Sequence, residues 1–97
     1  MTTKIKTERK FGNKIYTLAF ASSVDMYGQG VESIAKQRAE KEVKELREEG
    51  LSACMVREIH IKYPPKGPEV FWVVYARKEG ITLEQVSKFI RNRRGIY

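Results

Sequence analysis

Ninety-seven residues, 41% of them apolar with five Tyr, four Phe and one Trp, can close one core but not two, so a single domain over residues 1–97 is expected. A 32% charged fraction beside that much apolar sequence excludes a disordered chain. No apolar run approaches the ~18 residues of a membrane helix, and the N-terminus lacks the apolar segment of a secretory signal; a cytoplasmic protein with no membrane partner is expected. The net charge of +7 sits at the two ends, with Lys4, Lys6, Arg9, Lys10 and Lys14 against Glu8, and Lys88, Arg91, Arg93 and Arg94 against Glu84.

Residues 3–11 and 14–22 read as two strands around Gly12-Asn13, a two-residue hairpin signal because glycine tolerates positive φ. The second strand is apolar on both faces, with Tyr16, Leu18 and Phe20 on one and Ile15, Thr17, Ala19 and Ala21 on the other, as in a central strand. Ser22 to Gly30 is a connector. From Val31 to Glu49, Val31, Ile34, Ala35, Ala39, Val43 and Leu46 recur at helical spacing. Opposite charges four residues apart, such as Glu32–Lys36, Lys36–Glu40 and Lys41–Glu45, each add about 0.2–0.5 kcal/mol and mark a solvated face. Gly50 and Leu51 fit C′ and C″ of a Schellman ending, with Leu51 against Leu46.

Residues 52–63 and 69–78 read as a second hairpin with the tip Pro64-Pro65-Lys66-Gly67-Pro68, which cannot continue a ladder. Cys54 and Val56 have one parity and Ile59, Ile61 and Tyr63 the other, so a β-bulge is expected near Arg57-Glu58. Val70 to Ala76 is apolar on both sides and reads as a second central strand. In the last helix Thr82 and Gln85 fit a capping box, and Ile81 and Val86 a hydrophobic staple. Leu83, Val86, Phe89 and Ile90 form its buried stripe, and Gly95 ends it.

The element order is ββαββα. Placing both doubly apolar strands centrally gives an α+β domain with a four-stranded antiparallel sheet of order 1-2-4-3 and both helices on one face. This is a permuted ferredoxin-like arrangement, a split βαβ unit whose last strand has moved to the N-terminus. It resembles RNA-recognition sheets at the level of fold, while neither of their signature strand motifs is present, so the resemblance implies architecture only.

Segregated positive charge attracts polyanions, which makes nucleic acid the leading partner. With Leu18, Phe20, Val70, Trp72 and Val74 against the helices, the open face would carry Thr17, Ala19, Phe71, Val73, Tyr75 and Arg77, joined by His60 and Lys62. Rings flanked by cations suit single strands, whose bases stack at roughly 1–3 kcal/mol each. The same face could instead pair with a second copy of the chain. Arg91, Arg93 and Arg94 either contact phosphates or complement the helix dipole, and the alternating lysines of the first strand serve equally to guard a sheet edge.

Catalysis has few candidates. His60 has no nucleophile beside it in the sequence, Asp25 reads as a turn residue, and nothing brings any two of Glu58, Glu69 and Glu79 together. Tyr27-Gly28-Gln29-Gly30 lacks both the P-loop and the dinucleotide fingerprint and reads as the start of a helix. Cys54 is the sole cysteine, which excludes an internal disulfide and a thiolate metal cluster; it reads as an inert thiol. Abundant Glu and Lys with one Asp and two Asn is a thermophile-like composition.

The expectation is a small non-enzymatic nucleic-acid-binding protein, a homodimer that needs no cofactor or metal and prefers single-stranded DNA or RNA. Lys62, Phe71, Tyr75 and Arg77 would form the platform, and Lys4, Lys6, Lys10, Lys88, Arg91, Arg93 and Arg94 the phosphate contacts. The alternative is a protein-interaction module, an adaptor or inhibitor, that uses the same face or an edge strand.

Overall fold

The turn residues set the frame of the molecule. The computed structural model describes residues 7–23, 32–61 and 68–93. Strands β1 (Glu8–Phe11) and β2 (Lys14–Ser23) meet around Gly12-Asn13, with Phe11 opposite Lys14. Gly12 has φ of 63° and, among the described residues, no non-glycine residue has positive φ, so the hairpin takes the glycine-first form of the two-residue turn. Helix α1 (Glu32–Glu48) stops at Gly50, whose φ is 90°. The Leu51 N–H donates to the Leu46 carbonyl at 3.0 Å and the Gly50 N–H to the Arg47 carbonyl at 3.0 Å, the paired bonds of a Schellman ending.

Strands β3 (Ser52–Ile61) and β4 (Pro68–Arg77) pair in unbroken register from Ser52↔Arg77 to Ile61↔Pro68. Of the expected tip, Pro64 to Gly67 lie outside the described residues, as do Asp25, the Tyr27–Gly30 stretch and Gly95. Pro68, expected to stop the ladder, is instead the first residue of β4 and stands opposite Ile61, at the end of a strand where a missing N–H is tolerated. Helix α2 (Leu83–Arg93) opens with the expected capping box: the Gln85 N–H donates to Thr82 Oγ1 at 3.1 Å and the Thr82 N–H to Gln85 Oε1 at 2.9 Å. The sheet is antiparallel throughout, in the order β1-β2-β4-β3.

Both helices pack on one side of it. Ala39, Val43 and Leu46 of α1 and Val86 and Ile90 of α2 meet Ala19, Ala53, Val74 and Ala76 of the sheet. Alanines on both partners let α1 approach closely. Each large side chain buried here contributes roughly 1.5–3 kcal/mol.

Two expectations about the strand faces are corrected. The bulge lies in β2 between Leu18 and Phe20, where the register against β4 shifts, and β3 runs regularly past Arg57 and Glu58. The extra residue sends Ala19 and Phe20 together into the helix-side core. It leaves Leu18 opposite Tyr75, away from the helices, and Thr17 opposite Ala76, on the helix side. No bulge is needed in β3 because both of its faces are packed. Ala53 and Met55 meet the helices, Cys54 and Val56 fall half-buried on the other side, and Ile59 is left 56% exposed.

Candidate functional site

The side of the sheet away from the helices is curled, and its rim residues touch. Arg9 stands on one edge strand and Glu58 on the other, with β2 and β4 between them. In a flat sheet three strand spacings would separate them by about 14 Å. Here the Arg9 guanidinium pairs with the Glu58 carboxylate. Bulges increase local twist, and the one in β2 sits where this curvature is needed. Under the pair lies Tyr75, which has no exposed surface and whose hydroxyl donates to Glu58 Oε2 at 2.8 Å. Phe11 packs edge-on against Tyr16 at 5.2 Å between ring centroids and tilted against Tyr75 at 5.6 Å. The Arg9 guanidinium covers the Phe11 ring at 5.3 Å and the Tyr75 ring at 6.0 Å.

The electrostatics follow from that geometry. Burial, then the hydrogen bond to Glu58 and the charge of Glu58, push the Tyr75 phenol up to about 12; Arg9 opposes them. At the rim of the same side, Glu79 accepts from Arg77 Nη1 at 2.7 Å and from Lys14 Nζ at 3.2 Å. These two cations hold its carboxyl below the ordinary glutamate value, Arg77 contributing most. The concave side is therefore a second small core with its charges paired.

The expected site residues fall into three groups. Tyr75 is sealed, Arg77 is tied to Glu79, and Phe71 is partly buried opposite Ser23 and Glu58, all on the concave side. Lys10 lies on β1 opposite Ile15, on the helix-bearing side, and Lys88 and Arg91 stand one turn apart on the outward surface of α2. All three are exposed, and among the described residues no carboxylate pairs with them. Arg93 is the last residue of α2. Lys4, Lys6, Lys62 and Arg94 lie outside the described residues. The platform rings Phe71 and Tyr75 are thus on the opposite side of the sheet from Lys10, Lys88 and Arg91.

Reading the sequence overlooked Arg9, Phe11 and Glu58 as a unit. Glu58 shares its parity with Cys54 and Val56, and Arg9 shares its parity with Phe11, so the placement of each on the concave side was accessible. Their meeting across four strands was not.

A second polar cluster closes the helix side near the start of α1. Glu32 Oε2 accepts from Arg57 Nε at 2.9 Å and from Trp72 Nε1 at 3.1 Å. The Lys36 ammonium sits 5.4 Å from the centre of the Trp72 ring. Arg57 is the main cause of a lowered Glu32 pKa. This arrangement clamps α1 to β3 and β4. Cys54 is half-buried, and burial raises its thiol pKa against the opposing charges of Arg47 and Arg9. A thiol with a raised pKa is a poor nucleophile at neutral pH. Among the described residues no three His, Cys, Asp or Glu side chains converge on a metal-sized space, and no helix is long and apolar enough to cross a membrane.

Compared with known protein families, curated proteins and solved structures, the chain matches none.

Proposed function

We propose that this is a cytoplasmic, non-enzymatic nucleic-acid-binding protein that reads the phosphate backbone from its helix-bearing side. The observation that carries the reading is the contrast between cations. On the concave side Arg9, Lys14 and Arg77 are each engaged by a carboxylate. On the other side Lys10, Lys88 and Arg91 are exposed, and Arg93, the last residue of α2, is followed in the sequence by Arg94. Cations without acid partners are the ones that gain by releasing counterions from a polyanion.

The stacking role expected of Tyr75 requires a ring surface that the folded chain keeps covered. Binding is accordingly led by phosphate contacts, and the preference for single strands over duplex is small. The topology is consistent with a permuted ferredoxin-like sheet, an architecture that accommodates many functions and adds no weight here.

The test is a fluorescence-anisotropy titration of the full chain against labelled single-stranded DNA, single-stranded RNA and duplex at two salt concentrations. The reading predicts affinities within about tenfold of one another that fall steeply with salt, each phosphate contact adding about 0.7–0.9 to the log–log slope. Affinity that does not change with salt, or no binding at low salt, contradicts it. In that event the protein-interaction module becomes the better account, and capture of a protein partner that survives nuclease treatment would support it.

A further inference from the structure

Among the described residues the longer edge strand of the sheet is β3, ten residues against four in β1. The hydrogen-bond pattern fixes which of its backbone groups face outward. The Leu18 N–H donates to the Thr7 carbonyl, so Leu18 bonds toward β1 and Thr17, its neighbour, toward β4. Thr17 lies opposite Ala76, which therefore bonds toward β2, and Ala76 lies opposite Ala53. By alternation the N–H and C=O groups of Ala53, Met55, Arg57 and Ile59 point away from β4. Arg47 already occupies one of them, donating from Nε at 3.1 Å and from Nη2 at 2.8 Å to the Ala53 carbonyl. Met55 and Arg57 lie next along this edge.

Beside it runs a groove of about 700 Å³ lined by Glu40, Val43, Lys44, Glu48, Cys54 and Met55, among others. Arg47 meets Ala53 at one end of β3 and Glu32 meets Arg57 toward the other, so α1 and β3 run side by side in opposite directions. The helix ridge over the groove reads Glu32, Lys36, Glu40, Lys44, Glu48, alternating in sign every fourth residue. Glu40, Lys44 and Glu48 are exposed and form no ion pair with one another. Such a ridge is complementary to itself when two copies run antiparallel.

We infer that this α1–β3 side is a two-fold interface with a second copy of the chain, in which the two β3 strands pair antiparallel and the two α1 ridges interlock by charge. With Val56 on the two-fold axis, Met55 faces Arg57 of the partner, and the outward groups of these residues form four main-chain hydrogen bonds without the Ala53 carbonyl. That register brings no like charges directly opposite and lays the exposed Ile59 over the partner's Ala53. Arg47 and Glu32 of α1 reach Ala53 and Arg57 on β3, so strands paired about 4.8 Å apart turn the two α1 ridges toward one another. On the ridge, Glu40 then meets the partner's Lys44 and Lys36 meets the partner's Glu48, each twice. An eight-stranded sheet results, and both long edges are covered, which is the usual fate of an edge with few charges and no proline. The inference does not depend on nucleic-acid binding.

The experiment is sedimentation equilibrium of the full chain over a wide concentration range, with circular dichroism to confirm that each variant folds. The wild type is expected to be a dimer. Glu40→Lys sets lysine against lysine at two places and should raise the dimer dissociation constant about tenfold. Adding Lys44→Glu to it should restore the wild-type value. Arg57→Pro removes an outward N–H that β4 does not use, and should give a folded monomer. A wild type that stays monomeric overturns the inference, including the case where the monomer takes up an unrelated extended peptide along β3. So does a dimer that none of these changes weakens, or one that the double charge swap fails to restore.

Discussion

The two sides of the sheet treat similar residues in opposite ways. On the concave side, aromatic rings and arginines are drawn into a network: Arg9 pairs with Glu58, Glu58 takes the Tyr75 hydroxyl, and Phe11 fills the space between. On the helix-bearing side, Lys10, Lys88 and Arg91 stand apart from carboxylates and in water. A basic composition alone therefore says little about where a polyanion would bind. What separates a structural cation from an available one is whether the fold supplies an acid within reach. The partly buried Arg9–Glu58 pair bridges the curled sheet, whereas the exposed cations add little to stability.

The comparison breaks most visibly at Tyr75. Tyr75→Ala empties a fully buried site and should cost about 3–5 kcal/mol, measured by urea denaturation, in the range of large aromatic truncations. Glu58→Ala leaves Arg9 and the Tyr75 hydroxyl without their acceptor and should cost about 1–3 kcal/mol in the same assay. Tyr75→Phe, which removes only the hydroxyl, should cost about 0.5–1.5 kcal/mol. If Glu58→Ala is neutral, the rim contact does not hold the curl.

The pH dependence sharpens the same contrast. Tyr75 is held protonated in the folded chain, with its pKa pushed up to about 12 against an ordinary value of 10.0. The unfolded chain thus loses that proton first, and above pH 10 it binds fewer protons than the folded chain does. The contribution of Tyr75 to stability is complete below pH 10 and is lost as pH rises toward 12. Absorbance titration at alkaline pH should show one tyrosine ionising later than the others in the wild type, and that late step should vanish in Tyr75→Phe.

The smallest effect on stability belongs to the helix side. Lys88→Gln and Arg91→Gln should each change stability by less than about 0.5 kcal/mol. Each should nonetheless weaken nucleic-acid binding and lower the log–log salt slope by about 0.7–0.9.

Much of the fold was legible because its punctuation is local. Gly12-Asn13, the Gly50-Leu51 ending and the Thr82/Gln85 box depend on a few adjacent residues and form as read. The strand order followed from two strands apolar on both faces. The bulge was not legible, because in Leu18-Ala19-Phe20-Ala21 every residue is apolar and an extra residue leaves no break in the pattern. The curl was not legible either. It depends on Arg9 reaching Glu58, which stands forty-nine positions along the chain, and nothing local announces that contact. The same cause separates the candidate residues. Exposure of Lys10, Lys88 and Arg91 follows from strand and helix periodicity, whereas the burial of Tyr75 follows from the curl.

The most direct test of the account compares salt-dependent anisotropy of single-stranded DNA binding by the wild type, by the Lys88→Gln/Arg91→Gln double variant and by Phe71→Ala. The account predicts that the double variant flattens the log–log salt slope by about 1.4, two phosphate contacts on a single strand, while Phe71→Ala, once shown to fold, keeps the wild-type slope and affinity. A double variant that binds like the wild type, together with a Phe71→Ala protein that loses binding, would contradict it and return the site to the concave side of the sheet.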